Sequence, residues 1–99
     1  MPKTTWIISY KLTENASVPS YLAASQKCFD AIFAKQKGFI SWDLLRDGDV
    51  WIDIMKWETM EDAQNGQDEG NKSPIAHEYF DFIDMTTVKM QICSVEKSN

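Results

Sequence analysis

The chain has 99 residues, 43% of them hydrophobic and 12% aromatic, which suits one packed core over residues 1–99 and excludes both a disordered segment and two independent domains. With 15 acidic and 10 basic side chains its formal charge is -5, so the surface repels phosphate backbones and anionic lipid, and neither nucleic acid nor membrane is an expected partner. No run approaches the roughly 18 apolar residues of a membrane span, and Met1-Pro2-Lys3-Thr4-Thr5-Trp6 lacks the apolar stretch of a signal peptide, so a soluble cytoplasmic protein is expected.

Trp6 to Leu12 alternates Trp6, Ile8, Tyr10 and Leu12 against Ile7, Ser9 and Lys11, and its aromatic and β-branched content predicts a first strand. After the polar loop from Thr13, Ser17 and Pro19 open a helix whose inward stripe reads Val18, Leu22, Ser25, Phe29, Ile32 and Gln36, and Gly38 ends it. Phe39 to Arg46 and Val50 to Trp57 are strand-like runs either side of Asp47-Gly48-Asp49, and an Asp-Gly pair supplies the positive φ of a tight hairpin. Paired through a two-residue turn, they put Ile40, Trp42 and Leu44 on one face with Trp51, Asp53, Met55 and Trp57, and Leu45 on the other with Val50, Ile52 and Ile54. Helices cover one face of such a sheet. The other bare Val/Ile face calls for a second subunit.

Thr59 with Asp62 three residues later caps a short helix that fades toward Gly66 and Gly70, and Ser73-Pro74 starts another with an apolar arc of Ile75, Ala76, Tyr79, Phe80, Phe82 and Ile83. Thr87 to Val95 is the last strand, ahead of a polar tail from Glu96 to Asn99. The order β-α-β-β-α-β predicts an α+β, ferredoxin-like fold with a four-stranded antiparallel sheet and helices on one face. Cys28 and Cys93, without CxxC or Cys/His metal spacing, are expected to be buried free thiols. No metal-ligand cluster, phosphate-binding glycine loop or Ser/His/Asp spacing is visible in the sequence.

Lys37-Gly38-Phe39-Ile40-Ser41, Trp51 through Thr59, Ala63 and Ser73-Pro74-Ile75-Ala76-His77 resemble the dimeric α/β-barrel superfamily and, within it, the antibiotic biosynthesis monooxygenase-like group. The resemblance spans most of the chain. It implies a homodimer whose two sheets close into a barrel, with a small-molecule pocket between helices and sheet in each subunit. Members include cofactor-independent oxygenases of aromatic polyketides, haem-degrading enzymes and lactone isomerases. His77 sits where the haem-degrading branch has its ligand, but the Asn of the first strand and the Trp preceding that histidine in the branch are missing here, where Ile7, Ser9, Lys11 and Gln64-Asn65-Gly66-Gln67 stand.

Two residues are candidate acid–base groups. His77 is the only histidine, the one side chain that titrates unperturbed near neutrality, and its alternative is a surface pair with Asp81 at the edge of the apolar arc. Asp53 lies among Trp42, Trp51, Met55 and Trp57, a setting that raises a carboxyl pKa, and its alternative is a wet or hydrogen-bonded place at the sheet's open end. Trp57 and Trp42 offer flat surfaces to a ligand and Tyr10 and Tyr79 offer phenols, against the plain alternative of core packing. The expected function is a monooxygenase-like protein, needing no cofactor or metal, that acts on a small hydrophobic or aromatic substrate. The alternative is a non-catalytic small-molecule-binding or structural dimer.

Overall fold

Strands β1 (Thr4–Leu12), β2 (Phe39–Asp47), β3 (Val50–Trp57) and β4 (Ile83–Ser94) and helices α1 (Val18–Ala31), α2 (Met60–Lys72) and α3 (Pro74–Phe80) build the chain, with a 3₁₀ turn at Phe33–Lys35. The computed structural model describes residues 2–99, and Met1, the first residue of the expected 1–99 domain, lies outside them. The strands form one antiparallel sheet in the order β2-β3-β1-β4, and the helices lie on one face, giving the ferredoxin-like βαββαβ fold. Asp47 pairs with Val50, so Gly48 and Asp49 form the hairpin loop and Gly48 takes φ 63°, a conformation only glycine adopts at no steric cost.

That register fixes the two sheet faces. Trp42 and Leu44 stand opposite Met55 and Asp53 beneath the helices, and Leu45 stands opposite Ile52 on the free face. Ile40 departs from the expected face, because the β2–β3 register shifts between Phe39 and Ser41; Phe39 takes the place opposite Trp57 and Ile40 is exposed. A bulge of this kind adds one residue and reverses the alternation beyond it. Ile7, Leu45, Val50, Ile52 and Ile54 form an apolar patch on the free face, bordered by Ser9, Asp43 and Gln91, and no helix covers it.

Val18 and Ile32 of the expected α1 stripe pack into the core, but between them the inward positions fall one residue earlier than expected. Tyr21 and Cys28 are fully buried, followed by Ile32 and Phe33, whereas Leu22 is exposed. Helix α2 runs unbroken through Gly66 and Gly70, where fading was expected. Close packing explains both glycines, since a Cβ on Gly66 would lie 2.2 Å from the Trp57 ring and one on Gly70 3.1 Å from Phe33. The break falls at Ser73, which ends α2 through its N–H to the Gly70 carbonyl and caps α3 by accepting from Ile75 N–H.

Strand β4 starts at Ile83, four residues earlier than expected, with Phe82 and Ile83 outside α3. Its pairing with β1 shifts between Ser9 and Lys11, and there polar side chains take over from the ladder. Thr87 accepts the Lys11 N–H at 2.9 Å and donates to the Asp84 carbonyl at 2.6 Å. Cys28 is buried and Cys93, on the free face opposite Thr5, is half-buried; both are free thiols. No helix among the described residues is long and apolar enough to cross a membrane.

Candidate functional site

Alternation along β3 sends Trp51, Asp53, Met55 and Trp57 under the helices, and Asp53 is only 5% exposed. Its cross-strand partners are Ile8 in β1 and Leu44 in β2. Tyr10 and Trp42, two positions along those strands, are therefore its diagonal neighbours, within reach of a long side chain. Tyr79 of α3 and Tyr21 of α1 meet them from the helical layer.

The contacts form one polar cluster in an aromatic interior. The Asp53 carboxylate faces the phenols of Tyr10 at 3.1 Å and Tyr79 at 3.0 Å and accepts from the indole N–H of Trp42 at 3.2 Å. Tyr10 Oη lies 2.5 Å from both Tyr21 Oη and Tyr79 Oη. Burial pushes the Asp53 carboxyl up to about 6, and the hydrogen bonds from Trp42, Tyr79 and Tyr10 limit the rise. Burial first, and then the Asp53 charge, drives the phenols of Tyr10 and Tyr79 far above their ordinary value, and burial pushes Tyr21 to about 12. At neutral pH the phenols are donors and Asp53 is the group that titrates.

A cavity of about 180 Å³ opens over this cluster. Trp6, Phe33, Met55 and Phe80 wall it, Gln67 and Asn71 of α2 line it from the helical layer, and Met85 and Met90 of edge strand β4, both exposed, border it. Among the described residues, Asp53 is the only charged one in the lining. Its volume compares with the ~150 Å³ apolar cavity that accepts benzene. An acidic group near neutrality, fixed donors and flat apolar walls suit proton transfer to and from a small aromatic ligand.

Four of the six residues singled out in the sequence, Asp53, Trp42, Tyr10 and Tyr79, meet at this cavity. Trp57 does not. It is fully buried against Trp6, Phe39 and Gly66 as core. His77 lies on the exposed side of α3 with Nε2 2.7 Å from the Asn71 carbonyl oxygen, outside the lining. The Ser73-Pro74 start sets the helical phase: Tyr79 and Ala76 face inward, and His77, one residue from Ala76, points away. Tyr21 was missed, although a stripe of Tyr21, Cys28 and Ile32 at seven- and four-residue spacing was available in the sequence. Among the described residues no grouping of three or more His, Cys, Asp or Glu could hold a metal ion.

No family model matches the sequence. No curated protein matches it either. Solved structures do match over almost the whole chain. The cofactor-independent oxygenase SnoaB of Streptomyces nogalater superposes with a TM-score of 0.80 at 15% identity, covering 99% of this chain and 97% of that one. A protein of Nitrosomonas europaea, provisionally placed among the antibiotic biosynthesis monooxygenases, matches with a TM-score of 0.72 at 11% identity over 95% and 90%. A nipsnap family protein of unknown function from Agrobacterium tumefaciens matches with a TM-score of 0.66 at 14% identity over 95% and 88%.

Proposed function

From a chain that shares its fold, end to end, with antibiotic biosynthesis monooxygenase structures and a cofactor-independent oxygenase, we propose that this protein is a cofactor-independent monooxygenase of a small hydrophobic or aromatic substrate. The observation that carries this reading is the buried Asp53 carboxylate, held near neutrality at the polar end of an aromatic-walled cavity. Fold alone does not assign activity.

Asp53 is the general base. It takes a proton from a substrate C–H or O–H made acidic by an adjoining aromatic or carbonyl system, leaving an electron-rich anion. The anion gives electrons to dioxygen and forms a C–O bond, and the resulting hydroperoxide loses water to leave a carbonyl. In sum, a CH₂ group and O₂ become C=O and H₂O, and Asp53 returns its proton to the departing oxygen. Trp42 stacks or borders the substrate, and Tyr10 and Tyr79 hold the carboxylate in place. His77 has no part in this scheme, given its position outside the cavity.

The functional unit is a homodimer with the apolar faces of two sheets packed together, a proposal supported by the uncovered row of Ile7, Leu45, Val50, Ile52 and Ile54. Oxygen uptake with anthrone, a fused-ring ketone bearing an acidic CH₂, tests the activity. Anthraquinone should form with one O₂ consumed per turnover, and Asp53→Asn should reduce the rate at least 100-fold while His77→Ala leaves it within about twofold. Equal rates for the wild type and Asp53→Asn remove the proposal.

A further inference from the structure

All three tyrosines of the chain meet at Asp53, and their proton count constrains the direction of every hydrogen bond. Each phenol gives one proton, and the indole of Trp42 gives one and accepts none. The Tyr21 hydroxyl is fully buried and has two partners, Tyr10 at 2.5 Å and Tyr79 at 3.4 Å. If Tyr10 donated to Tyr21, the short Tyr10–Tyr79 contact would need the Tyr79 proton, and no phenol would be left to serve the carboxylate. If Tyr21 donates to Tyr10, each short contact holds one proton and one remains for Asp53, delivered through either Tyr79 or Tyr10. Both consistent arrangements begin with Tyr21.

We infer that Tyr21, which does not line the cavity, is a positioning residue that fixes the direction of the phenol cluster, so that a phenol polarised by its neighbour donates to the Asp53 carboxylate. An ionised carboxylate has about four acceptor sites. A phenol and Trp42 approach from the protein, and the cavity borders what remains. In both arrangements the phenol that donates to Asp53 itself accepts from a neighbouring phenol, and a hydroxyl polarised in this way is the stronger donor. Taking away the Tyr21 hydroxyl removes that polarisation from Tyr10, weakens the donation that reaches the carboxylate, and favours the acid form of Asp53. The groups that face Asp53 are Tyr10 from β1, Trp42 from β2, Tyr21 and Cys28 from α1 and Tyr79 from α3, with the uncharged Gln67 and Asn71 of α2 across the cavity.

The inference rests on Asp53 as the acid–base group of the site, but its test needs no substrate. Carboxyl carbon NMR of the full chain, with Asp53→Asn to identify the signal, gives the Asp53 titration midpoint. In Tyr21→Phe the midpoint should rise by a few tenths of a pH unit, the share that one polarising hydrogen bond adds to its neighbour. Should that variant fold poorly, 3-fluorotyrosine at position 21, a stronger donor of nearly the same shape, should move the midpoint down. A midpoint unchanged in a folded Tyr21→Phe, or unmoved or raised by fluorination, makes Tyr21 a packing residue and overturns the inference. A shifted midpoint in a protein that consumes no oxygen with anthrone sustains the inference and removes the oxygenase reading alone.

Discussion

At the residue scale the account turns on one carboxyl. Asp53 titrates near 6 in the folded chain against roughly 3.9 when unfolded. A raised acid pKa means that the native state binds the proton more tightly, so stability is greatest below the unfolded value and declines as pH climbs from about 4 through 6. The shift of about two units corresponds to roughly 3 kcal/mol. Urea unfolding at pH 4 and pH 7.5 should show this loss in the wild type and not in Asp53→Asn, whose neutral amide has no ionisation to oppose. A wild-type and Asp53→Asn pair with parallel pH dependence contradicts the burial argument. The direction of this shift follows from the sequence, because an Asp between Trp51 and Met55 on a covered strand face is desolvated. The phenols that tune it belong to β1, α1 and α3, and no local spacing announces that they converge.

At the element scale, glycines in a helix are the clearest case of tertiary packing overriding local preference. Gly66 and Gly70 read as helix-weakening in sequence, with each costing ~1 kcal/mol against alanine, yet α2 continues through both. The partners that require them, Trp57 at the end of β3 and Phe33 in the 3₁₀ turn, belong to other elements and are brought there by tertiary packing. Gly66→Ala should therefore destabilise the protein by about 1–3 kcal/mol in chemical denaturation, the range for overpacking a core. A stabilised variant would mean that helix propensity outweighs the Trp57 contact. The same logic explains the phase of α1. Leu22 is the more hydrophobic residue, but Tyr21 is drawn inward by partners for its ring and its hydroxyl, stacking on Tyr79 at 5.5 Å and edge-on to Trp51 at 5.0 Å. The hairpin was legible because Gly48 and the flanking alternation are local, whereas the Ile40 bulge, which decides one residue's face, has no sequence mark.

At the scale of the whole molecule, the sheet has one face under helices and one uncovered face that carries an apolar patch. Element order and alternation carried this architecture directly, since a period of two in the strands and capped helical runs between them leave few other topologies. Light scattering should give a mass near twice 11.4 kDa, and Ile52→Glu, which places a charge in the middle of the free face, should give a folded monomer. A wild-type monomer at micromolar concentration would contradict the proposed assembly. The thiols report on the same surface. Cys28, buried and pushed up to about 12 by burial, should react slowly in every form, and Cys93 on the free face should label faster in the Ile52→Glu monomer than in the wild type.

The pH dependence of oxygen consumption on anthrone bears most directly on the claim that Asp53 is the working base. A base must be ionised to act, so kcat/KM should rise with pH to a plateau, with a midpoint near the Asp53 value of about 6. Two variants separate Asp53 from His77, the chain's only histidine. The account predicts an unchanged profile in His77→Ala and loss of the rising limb together with the activity in Asp53→Asn. A limb that disappears in His77→Ala and survives in Asp53→Asn would contradict it.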